Sequence, residues 1–70
     1  MKRYLVIYEP AEGGGWGAYL PDIDGVIALG STRDEVEAGI RGALEMYIDD
    51  LGERGEALPE PRNVAGYVAA

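Results

Sequence analysis

The sequence predicts an α+β fold in which three antiparallel strands are followed by one helix and a final edge strand. Apolar side chains recur every three or four residues between residues 30 and 52, which is the period of an α-helix. The preceding residues form short stretches rich in β-branched and aromatic side chains, separated by turn residues. Consecutive strands with short turns form an antiparallel meander, so we expect the helix to lie across one face of it. The last strand is expected to pair at an edge, beside the first.

The first three strands are predicted at residues 2–9, 16–20 and 26–29, where β-branched and aromatic side chains are frequent. A glycine-rich turn at residues 11–15 separates the first two strands. The sequence Pro-Asp-Ile-Asp-Gly at residues 21–25 predicts a compact turn, because proline presets the bend and aspartate binds nearby backbone N–H groups. The three strands therefore follow one another closely.

The predicted helix lies between Gly30 and Gly52. Thr32 is in the position of an N-cap, and Glu35 stands three residues later, as in a capping box. Gly52 or Gly55 can adopt the left-handed conformation that ends a helix. The apolar stripe comprises Val36, Ile40, Ala43, Leu44, Tyr47, Ile48 and Leu51.

After the helix, the sequence predicts an extended connector at residues 53–62 and a final strand at residues 63–69. Pro59 and Pro61 restrict the connector to extended conformations. No repeat or second domain is visible, so residues 1–70 are expected to form a single domain. A chain of 70 residues without cysteine has a marginal core of its own. We therefore expect a homo-oligomer, either a dimer or a tetramer.

The charge of the chain narrows the classes of partner. Thirteen acidic and six basic residues give a net charge of −7, which disfavours direct binding of nucleic acid and favours a basic partner. The alternative interpretation is that the acidic surface serves solubility. No apolar stretch is long enough to span a membrane or to form a signal peptide, so we expect a cytoplasmic protein.

The predicted sheet has apolar side chains on both faces. Trp16 and Tyr19 of the second strand point to opposite sides, and neither side is polar. One helix is about 10 Å wide and covers roughly two strands on one face. Apolar surface should remain exposed, and such surface marks an interaction site. We expect Trp16 and Tyr19 to contact a partner protein, since the negative charge argues against stacking on bases.

Asp22 and Asp24 form the most prominent pair of carboxylates. Two-metal nucleases use several carboxylates to hold their ions. Glu9 could join this pair from the end of the first strand, but the sequence places no fourth ligand nearby, and histidine is absent. Turn stabilisation is the preferred interpretation, and partner contact is the alternative. We expect no catalytic residue, no metal site and no cofactor.

The order of motifs resembles the HicB-like antitoxins. The resemblance rests on Trp-Gly-Ala-Tyr-Leu-Pro-Asp-Ile-Asp-Gly at residues 16–25, Gly-Ser-Thr-Arg-Asp-Glu at residues 30–35, and Leu-Pro-Glu-Pro at residues 58–61. It implies a reduced ribonuclease H-like β-β-β-α-β domain that neutralises a small basic HicA-type toxin, which cleaves messenger RNA. Many members carry an additional C-terminal DNA-binding segment. This sequence shows none, so DNA-binding autoregulation is not expected from this chain.

Under this resemblance, the acidic residues on the outer side of the helix acquire a role. Glu37, Glu45 and Asp49 lie there, interrupted by Arg41, and would cover basic toxin residues that otherwise grip RNA. The default interpretation is a solvated helix face. Two alternatives for the whole protein remain: a homo-oligomeric domain without a toxin, and a metal-dependent nuclease with a reduced ribonuclease H-like site.

Overall fold

The structure, a computed structural model that describes residues 1–70, contains three strands and one helix. The strands are β1 (Ile7–Pro10), β2 (Trp16–Leu20) and β3 (Ile23–Gly30), and the helix is α1 (Arg33–Glu53). The sheet has the order β1-β2-β3 with both pairs antiparallel. The predicted α+β class, the meander and the bounds of β2 are confirmed.

The connection between β2 and β3 differs from the predicted five-residue turn. Leu20 pairs with Ile23, so only two residues form the loop of the hairpin. The next paired residues are Tyr19 and Ile27, and residues 24–26 bulge out of the ladder. Burial of Ile23 in the core explains why β3 begins there rather than at residue 26.

The N-terminus of α1 is fixed by local hydrogen bonds. The Thr32 hydroxyl accepts from the Glu35 N–H at 3.1 Å, and the Glu35 carboxylate accepts from the Ser31 N–H at 2.9 Å. The predicted N-cap is therefore confirmed, although the reciprocal bond reaches Ser31 rather than Thr32. The Glu35 N–H, one of the backbone donors that a helix leaves unpaired at its start, is satisfied in this way.

The C-terminus of α1 is a Schellman motif. Gly55 has φ +69°, a conformation that glycine adopts without a steric penalty. The Glu56 N–H donates to the Leu51 carbonyl at 2.9 Å, and the Gly55 N–H donates to the Gly52 carbonyl at 3.2 Å. Gly55 is thus the residue that ends the helix, one of the two predicted positions.

The helix α1 packs on β2 and β3, as expected for one helix on a three-stranded sheet. At Gly39 the helix approaches β3 closely, since an added Cβ would lie 3.2 Å from the Cβ of Ala28. Side chains of β1 and the residues before it flank the core without being enclosed by the helix. The buried cluster comprises Ala18, Leu20, Ile23, Val26, Val36 and Ile40.

The predicted final strand at residues 63–69 is wrong. No residue after Glu56 belongs to a strand or takes part in a backbone–backbone hydrogen bond. The radius of gyration is 13.5 Å, compared with roughly 11 Å for a compact chain of this length. Strand propensity reflects packing against a neighbouring strand, and this segment has no strand beside it.

Candidate functional site

The sheet face opposite α1 is open to solvent. Tyr19 lies at its centre, paired with Ile7 on one side and with Ile27 on the other. Ile27 and Leu29 expose 63% and 80% of their surface. We call this surface, formed by Ile7, Tyr19, Ile27 and Leu29, the open sheet face. The prediction that one helix leaves apolar and aromatic surface uncovered is confirmed.

Trp16 lies on the other side of the sheet from Tyr19. Its side chain is partly buried against the core. It lines a cavity together with Tyr8 and Arg33, and the Arg33 guanidinium lies 4.6 Å from the centre of the Tyr8 ring. A single flat partner surface therefore cannot contact Trp16 and Tyr19 at the same time.

The Asp22 carboxylate binds a segment forty residues away in the chain. It accepts hydrogen bonds from the backbone N–H of Arg62 at 3.0 Å and of Asn63 at 3.2 Å, and a further bond from the Asn63 side-chain amide. The Arg62 N–H is the main cause that holds the pKa of the Asp22 carboxyl below its usual value, and the Asn63 donors and the Arg62 charge act in the same direction. Sequence reasoning missed this contact and assigned Asp22 to the local turn.

Asp24 lies in the bulge, is exposed, and takes no part in the hydrogen bonds that Asp22 accepts. The two carboxylates are not gathered with other ligands, since no group of three His, Cys, Asp or Glu side chains is arranged to hold a metal ion. The structure therefore gives Asp22 a structural partner and leaves Asp24 in solvent.

The outer side of α1 carries acidic residues at intervals of four. Glu37 is paired with Arg41, whose Nη2 lies 3.4 Å from the Glu37 Oε1. Glu45, Asp49 and Glu53 continue the same line and form no ion pair. We call these three residues the acidic row, and their Cα atoms span about 12 Å along the helix axis. Glu53 was not predicted, although its spacing from Asp49 is the signal that identifies it.

The acidic row is locally unfavourable for the helix. Like charges four residues apart destabilise a helix by about 0.2–0.5 kcal/mol per pair. Negative charge at the C-terminal end also opposes the helix dipole, and the last turn contains no basic residue. Arg54, which follows the helix, pairs with Asp50 at 2.9 Å and with Glu56 at 3.2 Å, so it does not neutralise the row. The three carboxylates remain available to an external cation.

Three features define the class of protein: a small α+β domain, an apolar sheet face left open, and a row of unpaired carboxylates on the opposite side. Surfaces of this kind serve contacts with other macromolecules. The helix α1 has no apolar stretch long enough to cross a membrane.

The chain belongs to the HicB-like antitoxin family of bacterial toxin–antitoxin systems, and the family match covers residues 4–70. It is 37% identical over 62 residues to the UPF0150 protein ssl0738 of Synechocystis sp. (strain ATCC 27184 / PCC 6803 / Kazusa), a match that covers 86% of each chain. It is 31% identical over 58 residues to the UPF0150 protein ssr1765 of the same organism, covering 83% of this chain and 73% of that protein. The family membership predicted from the motifs is confirmed. It supports an antitoxin role with a toxin as partner, and such antitoxins are generally not enzymes.

Proposed function

We propose that this protein acts in the cytoplasm as an antitoxin that neutralises a small basic HicA-type toxin by masking its RNA-binding surface. Membership of the HicB-like antitoxin family over residues 4–70 supports an antitoxin role. The structural observation that carries the masking mechanism is the acidic row, because its three carboxylates have no internal cation to neutralise them.

The proposed mechanism is electrostatic and steric. A toxin that cleaves messenger RNA holds the phosphate backbone with Lys and Arg side chains. The carboxylates of Glu45, Asp49 and Glu53 present negative charges to those same side chains and thereby exclude RNA. The net charge of −7 attracts a basic protein over a longer range and accelerates the encounter.

The predicted contact residues take different parts in this proposal. Glu45 lies in the acidic row and contacts the toxin directly. Glu37 contributes together with Arg41, to which it is paired. Asp24 is exposed at the sheet end of the molecule, and Trp16 is partly enclosed, so neither belongs to the toxin-facing surface.

We further propose that the protein self-associates through the open sheet face. Two chains that each carry a charge of −7 repel one another wherever their acidic surfaces meet. The open sheet face consists of uncharged side chains, with the single carboxylate of Glu9 at its margin, so two copies can pack there and bury Tyr19, Ile27 and Leu29. The acidic row lies on the opposite side of the sheet and stays free for the toxin.

The test is a charge reversal with a matched control. Glu45→Lys combined with Asp49→Lys is compared with Glu12→Lys combined with Asp24→Lys, which changes the net charge equally at exposed positions away from the helix. The partner used is a small basic HicA-type toxin, sought first in the reading frame next to this gene. We expect the helix variant to slow association by about tenfold or more and to remove most of its salt dependence, with a much smaller effect in the control. Co-expression should show the matching loss of protection from growth arrest.

Equal effects of the two charge reversals would show that only the net charge matters, and would contradict the assignment of the acidic row. A chain that protects fully while carrying the helix variant would contradict the masking mechanism itself. Self-association is measured separately, by sedimentation of the chain alone over a range of concentrations, and a monomer throughout would contradict it.

A further inference from the structure

The outer edge of β1 has no partner. β1 pairs with β2 on one side only, and no backbone hydrogen bond occupies its other side. The helix α1 packs on β2 and β3 and does not cover this edge. An uncovered edge presents a row of N–H and C=O groups that accept an additional strand.

The C-terminal segment, residues 63–70, has the properties of a strand without a sheet. Its sequence, Asn-Val-Ala-Gly-Tyr-Val-Ala-Ala, contains no charged side chain, whereas 27% of the whole chain is charged. Val64 and Val68 expose 90% and 97% of their surface, and Tyr67 is fully exposed. β-branched and aromatic side chains of this kind are stabilised by pairing with a neighbouring strand.

Contacts at the base of the C-terminal segment fix where it leaves the domain. The Tyr4 hydroxyl donates a hydrogen bond to the Pro59 carbonyl at 2.6 Å, and Lys2 forms an ion pair with Glu60. The Asp22 carboxylate then holds the backbone at residues 62 and 63. The segment is therefore anchored beside the start of β1.

Beyond this anchor the segment follows the edge of β1 without pairing to it. Ala65 and Tyr67 line a cavity of about 430 Å³ together with residues 5–8, Trp16 and Arg33. Seven of the eight lining residues are hydrophobic. Within one chain, the C-terminal segment is therefore separated from the β1 edge by this apolar space and does not pair with it.

We propose that residues 63–69 of one copy add as a strand to the β1 edge of a second copy, and that two copies exchange these segments reciprocally. The donor segment and the acceptor edge are both present on each chain, which is the condition for a symmetric, closed exchange. The donor segment has no acidic side chain and β1 has only Glu9, so repulsion between two chains of charge −7 is limited there.

This inference deepens the proposed self-association and is independent of the toxin. It assigns the contact between copies to the edge of the sheet as well as to its open face. The two contacts together would give a tetramer, whereas the exchange alone gives a dimer.

Cysteine cross-linking distinguishes exchange from folding back, because the natural chain has no cysteine. Chains carrying only Ile7→Cys are co-expressed with differently tagged chains carrying only Ala65→Cys or Tyr67→Cys, and the purified oligomer is oxidised. We expect a disulfide between the two kinds of chain for at least one pair. The matched control replaces the segment cysteine by Met46→Cys, which is exposed on the helix, and should give no such product.

The double variant Ile7→Cys with Tyr67→Cys, oxidised at high dilution, tests whether the segment instead lies against the β1 edge of its own chain. A disulfide confined to one chain, or no disulfide at all in an oligomer, would overturn the exchange. Sedimentation of the natural chain beside the same samples separates the two proposals, because Ile7 itself belongs to the open sheet face. An oligomer without cross-links between chains would contradict the exchange and agree with packing through the open sheet face. A monomer would contradict both proposals.

A proline substitution offers a second test that does not depend on oxidation. Ala65→Pro removes a backbone donor within the proposed strand, whereas Ala70→Pro makes the same change at the last residue, outside it. We expect Ala65→Pro to raise the dissociation constant of the dimer by about tenfold and Ala70→Pro to leave it unchanged. Equal dissociation constants for both variants and the natural chain would overturn the proposal.

Discussion

The helix α1 and the C-terminal segment show two different ways in which this short chain acquires structure. The helix is bounded by signals within a few residues of its ends, namely the Thr32 cap and the Gly55 turn, and one side of it is buried. The C-terminal segment has the composition of a strand but no strand to pair with. A helix satisfies its backbone internally, whereas a strand depends on a neighbour, so only the first is complete within a single chain.

The largest expected effect lies on the buried side of the helix. Ile40→Ala should lower the free energy of unfolding by about 2–5 kcal/mol, because Ile40 is enclosed between α1 and the sheet. Ile48→Ala on the same helix is the matched control and should cost less than half as much, since Ile48 is exposed. Urea denaturation followed by circular dichroism measures both. Equal losses would show that the helix is held by something other than this contact.

The cap of the helix should have a smaller effect. Thr32→Ala removes the acceptor of the Glu35 N–H and should destabilise the protein by about 1 kcal/mol. Ser31→Ala is the control, because Ser31 uses its backbone N–H rather than its hydroxyl in the cap. Thermal unfolding of the two variants should differ, and a Ser31→Ala loss as large as that of Thr32→Ala would contradict the observed cap.

Two glycines within α1 separate helix propensity from packing. Gly42→Ala should stabilise the protein by about 0.5–1 kcal/mol, because an added Cβ meets no atom within 4 Å. Gly39→Ala should gain less or lose stability, since its Cβ would lie 3.2 Å from the Cβ of Ala28. Denaturant titrations of both variants give the comparison. A larger gain at Gly39 would mean that helix and sheet can move apart there without loss.

The smallest effect on unfolding at neutral pH is expected at Asp22, which acts on the other region. Its pKa is lowered in the folded state, so its contribution is present above the ordinary value of about 3.9 and is lost as the pH falls through the lowered value. Asp22→Asn should therefore loosen residues 62 and 63 at pH 7, seen as faster amide exchange. The difference from the natural chain should vanish in strong acid. Asp24→Asn, at an exposed position, should leave these amides unchanged at every pH.

The sequence predicted those parts of the fold that are determined locally. Thr32, Glu35 and Gly55 lie within a few residues of the helix ends that they fix, and β2 is bounded by turn residues on both sides. The start of β3 was misplaced because Ile23 is drawn into the core by contacts with the helix, and alternation within a short stretch does not reveal this. The final strand was wrong because composition predicts that a segment can pair, but not that a partner is within reach.

The candidate site residues also divide into those that a local sequence pattern identifies and those that depend on distant contacts. Glu45 and Asp49 were identified from helical spacing, and extending that spacing by one step gives Glu53. The contact of Asp22 with residues 62 and 63 joins positions forty residues apart, and no sequence pattern near Asp22 predicts it. The placement of Trp16 and Tyr19 on opposite faces did follow from the alternation along β2.

The free edge of β1 also bears on how the protein behaves when it is concentrated. A molecule with one acceptor edge and one donor segment can form a closed dimer by reciprocal exchange. Alternatively, each copy can donate its segment to the next copy, which produces a growing filament. The Asp22 anchor restricts the angle at which the segment departs, and this angle decides between the two outcomes. Growth into filaments would scatter light and increase with time, so turbidity of concentrated Asp22→Asn samples would reveal whether the anchor protects the protein from polymerisation.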